Sequence, residues 1–186
     1  MVGIVSFGGY VPKLRLQRSA IAEAHTWANP GAAGQGKGER SMCNWDEDSV
    51  TMAVEAVRDC INSSDVNADA LFFASTTLPF LDRQNAGIVS TAVSLGEDIS
   101  VLDITASQRA GTSALLQAFA GVASEQQESI IVVGSDHRRT RASGSQEMTF
   151  GDGAAAVQVG SENTLVDFLG GHSRTVDFVD HFKGAG

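Results

Sequence analysis

The amino-acid sequence predicts an α/β domain whose sheet is covered by helices on both faces. Short apolar segments alternate with segments in which apolar residues recur at helical spacing, which is the order of strand–helix–strand units. The strand segments are apolar at successive positions, as is typical of parallel strands buried on both faces. With 186 residues, 42% of them hydrophobic, the chain is long enough to bury one substantial core.

The first part of the chain is predicted to contain one strand and two helices. Residues 2–7 form a β-branched, apolar run that two glycines terminate, which predicts a buried strand. Residues 19–27 have helical spacing, and the Gly- and Ala-rich residues 31–38 predict a mobile loop. Acidic and capping residues at 46–49 precede a helix whose buried face is marked by apolar side chains within residues 52–60.

The second part of the chain is predicted to continue the alternation. Predicted helices cover residues 85–95 and 108–123, and predicted strands cover residues 71–74, 100–104, 129–133 and 165–169, with one more strand that follows a glycine turn within residues 149–159. A basic segment at residues 137–141 lies between the predicted strand at 129–133 and the two predicted strands nearer the C-terminus, within 149–159 and at 165–169.

Composition excludes several classes of function. The formal net charge of −9 argues against general binding to nucleic acids or anionic membranes, because phosphate contacts need a basic surface. Two cysteines, Cys43 and Cys60, are too few for a disulfide framework or a structural zinc site, so a reducing cytoplasm is the expected location. The first residues lack the basic region of a signal peptide, and no apolar run approaches membrane-spanning length.

One strand-to-helix corner carries the clearest candidate site. The predicted strand at residues 100–104 is followed by small polar residues, and a helix opens at Gln108. Unpaired N–H groups and the positive end of the helix dipole at such a corner stabilise an anion or a developing oxyanion. Gln108 itself is neither a nucleophile nor a base, so the pattern predicts the place of a site without naming its reaction.

Six segments of the chain together resemble the thiolase superfamily, in particular the N-terminal half of 3-hydroxy-3-methylglutaryl-CoA (HMG-CoA) synthase and ketoacyl synthase III. Each segment alone is a weak match, but they occur in the family's order. They are residues 3–12 (GIVSFGGYVP), 44–53 (NWDEDSVTMA), 73–77 (FASTT), 107–112 (SQRAGT), 150–156 (FGDGAAA) and 176–181 (VDFVDH).

This resemblance implies a thiolase-like half-fold with a parallel-rich mixed sheet. The family fold stacks two similar halves into five αβαβα layers. Residues 1–160 match the first half, and residues 161–186 match an incomplete beginning of the second. A complementary half would then come from the rest of a longer protein or from a partner subunit, since a half-fold leaves one face uncovered. Similar synthase-like proteins often occur with a small OB-fold partner that carries a zinc ribbon.

The resemblance also implies a site that lacks two of the family's functional residues. The family's acylating cysteine corresponds to Gln108, and its general acid/base glutamate corresponds to Thr76. An amide cannot form a thioester, so condensation by this chain alone is not expected. The family's catalytic histidine and asparagine lie in the second half. A coenzyme A thioester is the implied substrate or ligand, and no covalently bound cofactor is expected.

Four side chains are candidates for binding such a ligand. Similarity to ketoacyl synthase III places Trp27, Lys37 and Arg40 near the entrance for pantetheine and adenine, where they could stack on the base or pair with phosphate. Arg109 stands beside the corner. His172 and His181 lack the spacing of metal ligands, and no metal site is predicted.

Three functions remain open at this point. In the first, the chain is a synthase-like subunit that binds an acyl thioester and works with a partner half. In the second, it is a decarboxylase of a malonyl thioester, as in loading-type ketosynthases where Gln replaces Cys. In the third, it is a non-enzymatic scaffold of a heteromeric complex. Cys43 is interpreted as a loop residue and Cys60 as a buried apolar one. His137 begins a basic cluster that is predicted to be a solvated surface or, alternatively, to meet CoA phosphates.

Overall fold

A computed structural model describes residues 1–61 and 67–176, so the predicted segment at 176–181, with His181, lies almost entirely outside the described residues. The strands are β1 (Gly3–Tyr10), β2 (Leu14–Gln17), β3 (Glu39–Met42), β4 (Ala70–Ala74), β5 (Ser100–Ile104), β6 (Ile130–Asp136), β7 (Gly153–Gly160) and β8 (Val166–Asp167). The α-helices are α1 (Arg18–His25), α2 (Ser49–Ile61), α3 (Asn85–Ala92), α4 (Ala110–Ala123) and α5 (Ser145–Thr149).

The main sheet has six strands in the order β5-β4-β6-β7-β1-β8. Strands β5, β4 and β6 are parallel, whereas β7 is antiparallel to both β6 and β1, and β8 is antiparallel to β1. The α/β class and the mixed sheet are confirmed, but a uniformly parallel sheet is not. The chain returns from β6 to β7 at the same end of the sheet, without the crossover helix that a parallel neighbour needs.

Helices α2 and α3 cover one face of this sheet. The core between these helices and the sheet consists of apolar side chains that are almost completely buried. They include Ala53 and Val57 of α2, Val89 of α3, Leu71 and Phe73 of β4, and Ile131 and Val133 of β6. Helix α3 is held to the sheet by a polar contact, because the Asp103 carboxylate of β5 accepts the backbone N–H groups of Asn85 (2.8 Å) and Ala86 (2.7 Å). A carboxylate in this place satisfies N–H groups that the first turn of a helix leaves without partners.

Helix α4 covers the opposite face. Small residues at Ala110, Ala114 and Ala118 let it approach β4 and β6 closely, with Ala70, Ile130, Val132 and Val159 beneath it. The chain after β8 then runs back over the outer side of α4, where the Phe168 ring stacks on Phe119 with centroids 4.3 Å apart. The prediction of helices on both faces is therefore confirmed.

Two parts of the chain differ from the sequence-based expectation. The predicted mobile loop at residues 31–38 contains a 3₁₀ helix, Pro30–Gln35, with Ala32 buried against Ile21 of α1. Strands β2 and β3 form a separate two-stranded antiparallel sheet, with α1 and the 3₁₀ helix in the connection between them. No pattern predicted this sheet, since four residues are too few to establish a period. The predicted division of the chain at residue 160 stays a prediction. In the described ranges, no helix is both long and apolar enough to cross a membrane.

Candidate functional site

A cavity of about 420 Å³ lies at the carboxyl ends of β4 and β6, beside the corner that leads into α4. Parallel strands converge here with the start of β7, so side chains distant in sequence share one space. The lining comes from the end of β4 (Ala74, Ser75, Thr76), the corner (Ser107, Gln108, Ala110, Gly111), the end of β6 (Gly134, Ser135, Asp136) and the start of β7 (Gly153, Ala154, Ala155). The structure thus brings Gln108 and Thr76 together.

The corner itself is a tight turn. Ala106 has a left-handed φ of 64°, an uncommon conformation for a residue with a side chain. Ser107 then closes the turn, because its hydroxyl accepts the Arg109 N–H (3.2 Å) and its carbonyl accepts the Ala110 N–H (3.0 Å). Helix α4 begins at Ala110, two residues later than predicted, which leaves Gln108 in the turn just before the positive end of the helix.

Asp136 organises the polar side of the cavity. Its Oδ1 accepts hydrogen bonds from the Ser75 hydroxyl (3.1 Å), the Thr76 N–H (2.7 Å), the Thr76 hydroxyl (3.0 Å) and the Thr77 hydroxyl (3.0 Å). The Thr76 hydroxyl is therefore a donor to a carboxylate from the neighbouring strand, and its predicted correspondence to the family's glutamate stays a prediction. Sequence reasoning did not single out Asp136, although a charged residue directly after an apolar strand was the available signal.

We expect Asp136→Ala to destabilise the chain by about 3 kcal/mol, because four donors lose a charged acceptor in a partly buried place. Asp136→Asn retains an acceptor oxygen and should cost about 1 kcal/mol. Urea unfolding monitored by circular dichroism measures both. Asp167→Ala is the matched control, since this exposed carboxylate accepts from the Thr164 side chain. Equal losses for Asp136→Ala and Asp167→Ala would contradict the role of Asp136.

None of the four predicted ligand-binding side chains is among those that line this cavity, although Arg109 lies between the lining residues Gln108 and Ala110. The Trp27 side chain is 86% exposed, and Lys37 is exposed near the 3₁₀ helix. Arg109 is exposed, with Nη2 3.5 Å from the Ser173 hydroxyl. Arg40 is half-buried, and its Nη1 donates to the Phe150 carbonyl (3.0 Å). Their role in binding stays a prediction.

A larger cavity, of about 890 Å³, lies between the two-stranded β2–β3 sheet and the segment after β6. Arg40 lines it together with His137, Arg138 and Arg139, so part of the predicted basic cluster faces a concave surface. The Arg138 guanidinium lies 4.7 Å from the centre of the Phe150 ring. The prediction that this basic cluster is simply a solvated surface is therefore incomplete, because part of the cluster lines a cavity.

The two cysteines have different surroundings. Cys60 is 2% exposed within α2, and its interpretation as a buried apolar residue is confirmed. Cys43 lies in the loop after β3, as expected, but it is also buried. Burial, together with the nearby Asp152 carboxylate, raises the pKa of the Cys43 thiol to about 12. At neutral pH this thiol is protonated and a poor nucleophile.

In sequence, the chain is similar over nearly its whole length to curated hydroxymethylglutaryl-CoA synthases. It is 31% identical to the one from Archaeoglobus fulgidus, over 98% of this chain and 54% of the relative. It is 30% identical to the one from Methanobrevibacter smithii, over 100% of this chain and 55% of the relative. The chain thus spans about half the length of the curated relatives it matches. No family model matches the sequence.

Solved structures with a similar fold agree with this sequence similarity. The structure of MvaS in complex with 3-hydroxy-3-methylglutaryl coenzyme A superposes with a TM-score of 0.77 and 26% identity, over 87% of this chain and 40% of that one. The chain has a thiolase-like half-fold. A 3-oxoacyl-(acyl carrier protein) synthase III from Pseudomonas aeruginosa, at 23% identity, agrees in fold, with a TM-score of 0.73 over 86% of this chain and 50% of the other. The predicted resemblance to the thiolase superfamily is confirmed.

Proposed function

We propose that this chain is an HMG-CoA synthase-like half that binds an acyl-CoA thioester and does not form an acyl-enzyme by itself. The observation that carries the proposal is Gln108 in the turn before α4, lining a cavity where the family resemblance places the acylating cysteine. The N–H groups and the positive dipole end at the start of α4 favour negative charge on a thioester carbonyl oxygen. The carboxamide of Gln108, however, is not a nucleophile. The site is in this sense a pseudo-active site.

Neighbouring structures support a coenzyme A thioester as the ligand. One is MvaS in complex with 3-hydroxy-3-methylglutaryl coenzyme A, and another is described as HMG-CoA synthase complexed with CoA. Each superposes on 87% of this chain. A thioester would enter past Arg40 and the basic residues after β6, because a chain with a net charge of −9 needs a local cationic surface to hold phosphates.

A complementary thiolase-like half belongs to the proposal. On the face that α4 covers, the Phe7 side chain of β1 is 70% exposed, and its neighbour in register, Val157, belongs to the apolar cluster under α4. Ala155 of β7 and Leu169 beyond β8 are also exposed. The partner would cover these groups, in a cytoplasmic heteromeric complex that includes an OB-fold zinc-ribbon protein. A chain that stays monomeric in solution, as measured by analytical ultracentrifugation, would contradict the need for a second half.

We expect the wild-type chain to bind acetyl-CoA without a covalent adduct. Isothermal titration calorimetry measures binding, and intact mass measures acylation. Gln108→Trp should weaken binding about tenfold or more by filling the cavity, a loss of about 1.4 kcal/mol. Gln117→Trp, at an exposed position of α4, is the matched control and should bind like the wild type. An acyl adduct that persists when Cys43 and Cys60 are both replaced by serine would overturn the proposal.

The same preparation separates the competing functions. Release of acetyl-CoA from malonyl-CoA would replace this proposal by decarboxylation of a malonyl thioester. Failure to bind acetyl-CoA, malonyl-CoA or free CoA, with the complementary half present, would replace it by a scaffold role. Binding of acetyl-CoA that Gln108→Trp weakens and Gln117→Trp does not is the result that supports it.

A further inference from the structure

Three side chains of the kinds that bind transition metals meet at the wall of the larger cavity. Cys43 follows β3, His137 follows β6, and Asp152 precedes β7. One ligand atom from each, the thiol sulfur, a ring nitrogen and a carboxylate oxygen, lies within 4.8 Å of the other two. These residues are far apart in sequence, and the close approach exists only in the folded chain.

The polar contacts within this cluster are incomplete. His137 Nδ1 is buried and lies 3.1 Å from Asp152 Oδ2, yet the two atoms do not have the geometry of a hydrogen bond. Asp152 Oδ2 instead accepts the Cys43 backbone N–H at 2.8 Å. A buried ring nitrogen that faces a carboxylate without a well-formed hydrogen bond is a place where a bound ion would satisfy both groups.

We propose that Cys43 Sγ, His137 Nδ1 and Asp152 Oδ2 bind one Zn²⁺ ion. Thiolate, imidazole and carboxylate are the three ligand types that zinc prefers in proteins, and a thiolate with a carboxylate neutralises its charge. Ligand atoms around tetrahedral zinc lie about 3.3–3.7 Å apart, so the nitrogen–oxygen pair is already close to that spacing. The most distant pair would close by about 1 Å.

Other uses of the cluster fit less well. Mg²⁺ and Ca²⁺ prefer oxygen ligands and would leave the sulfur unused. Three protein ligands leave the fourth position of the ion directed to the cavity, the pattern of zinc sites that bind water or a substrate group. The proposal departs from the sequence-based expectation of no metal site and does not depend on thioester binding.

Cobalt is the probe for the test, because Co²⁺ replaces zinc and reports a thiolate ligand by a charge-transfer band. The full 186-residue chain is stripped with a chelator and titrated with Co²⁺. We expect one equivalent to bind with a thiolate-to-cobalt band that Zn²⁺ then removes. Cys43→Ser should abolish the band. His137→Gln, at a side chain that is 33% exposed, should weaken binding about tenfold or more.

Cys60→Ser is the matched control, because this second buried thiol lies in α2 within 3.8 Å of the Ser6 hydroxyl. It should keep both the band and the stoichiometry of the wild type. Circular dichroism verifies that each variant is folded. The proposal is overturned if the wild-type chain binds Co²⁺ without a thiolate band, if it does not bind Co²⁺, or if the band survives Cys43→Ser.

Discussion

Gly8→Ala is expected to destabilise this chain by about 3 kcal/mol, because strand β1 touches helix α2 backbone to backbone at this residue. A Cβ added to Gly8 would lie 2.6 Å from the Ala56 carbonyl oxygen and closer still to the Cys60 nitrogen. Neither atom is a flexible side-chain end, so the helix would have to move away from β1. Urea unfolding measured by circular dichroism gives the free energy difference.

Gly9→Ala is the control for this prediction. It lies next to Gly8 in the same strand, but the nearest atom to its added Cβ is the Ala154 carbonyl oxygen at 3.7 Å, an ordinary contact. The change should alter the free energy of unfolding by less than about 0.5 kcal/mol. If Gly8→Ala and Gly9→Ala were equally stable, close packing of α2 on β1 would not be a determinant of the fold.

Gln108→Cys should create an unusually acidic thiol. The introduced sulfur would stand in the turn before α4, beside the N–H groups of its first turn, where the dipole favours a thiolate. We expect a thiol pKa at or below about 7.5, against about 8.5 for an ordinary cysteine. The rate of alkylation by iodoacetamide across pH, located by peptide mapping, measures this value. The new thiolate should then attack the carbonyl of acetyl-CoA, form an acetyl thioester and release CoA with a free thiol.

Gln117→Cys provides the comparison on the same helix. Residue 117 is exposed in the middle of α4, away from its N-terminus, and its thiol should titrate near about 8.5 without acetylation by acetyl-CoA. The native thiols are both buried, so they should react slowly with iodoacetamide. An introduced thiol at 108 that titrates like the one at 117 would show that the corner lacks the electrostatic character assigned to it.

Local patterns were sufficient for the strand and helix succession around the corner. The predicted strand at residues 100–104 has the same bounds as β5, and the helix predicted from residue 108 differs from α4 only at its start. Small polar residues after an apolar run define such a corner within about ten residues. The first turn of α4 was misplaced because the Ser107 hydroxyl captures the Arg109 N–H, a contact that spacing of apolar residues does not encode.

The direction of the antiparallel strands could not be predicted from such local patterns. Strand β7 is mostly apolar like its parallel neighbours, and its direction depends on how the chain turns between Asp136 and Gly153. The end of that connection contacts a strand from the first part of the chain, since the Ser41 hydroxyl of β3 donates to the Asp152 carbonyl at 2.6 Å, and the spacing of apolar residues does not encode such a long-range contact.

The sequence by itself determined the α/β class, the corner before α4 and the presence of Gln108 where the related synthases are expected to carry cysteine. Each of these follows from short-range periodicity or from a contiguous motif. Only the tertiary structure decided that Asp136 gathers the hydroxyl groups after β4, and that Cys43, His137 and Asp152 share one cavity wall. The reason is physical, because the polar groups that meet at these places are brought together by sheet pairing between segments far apart in the chain.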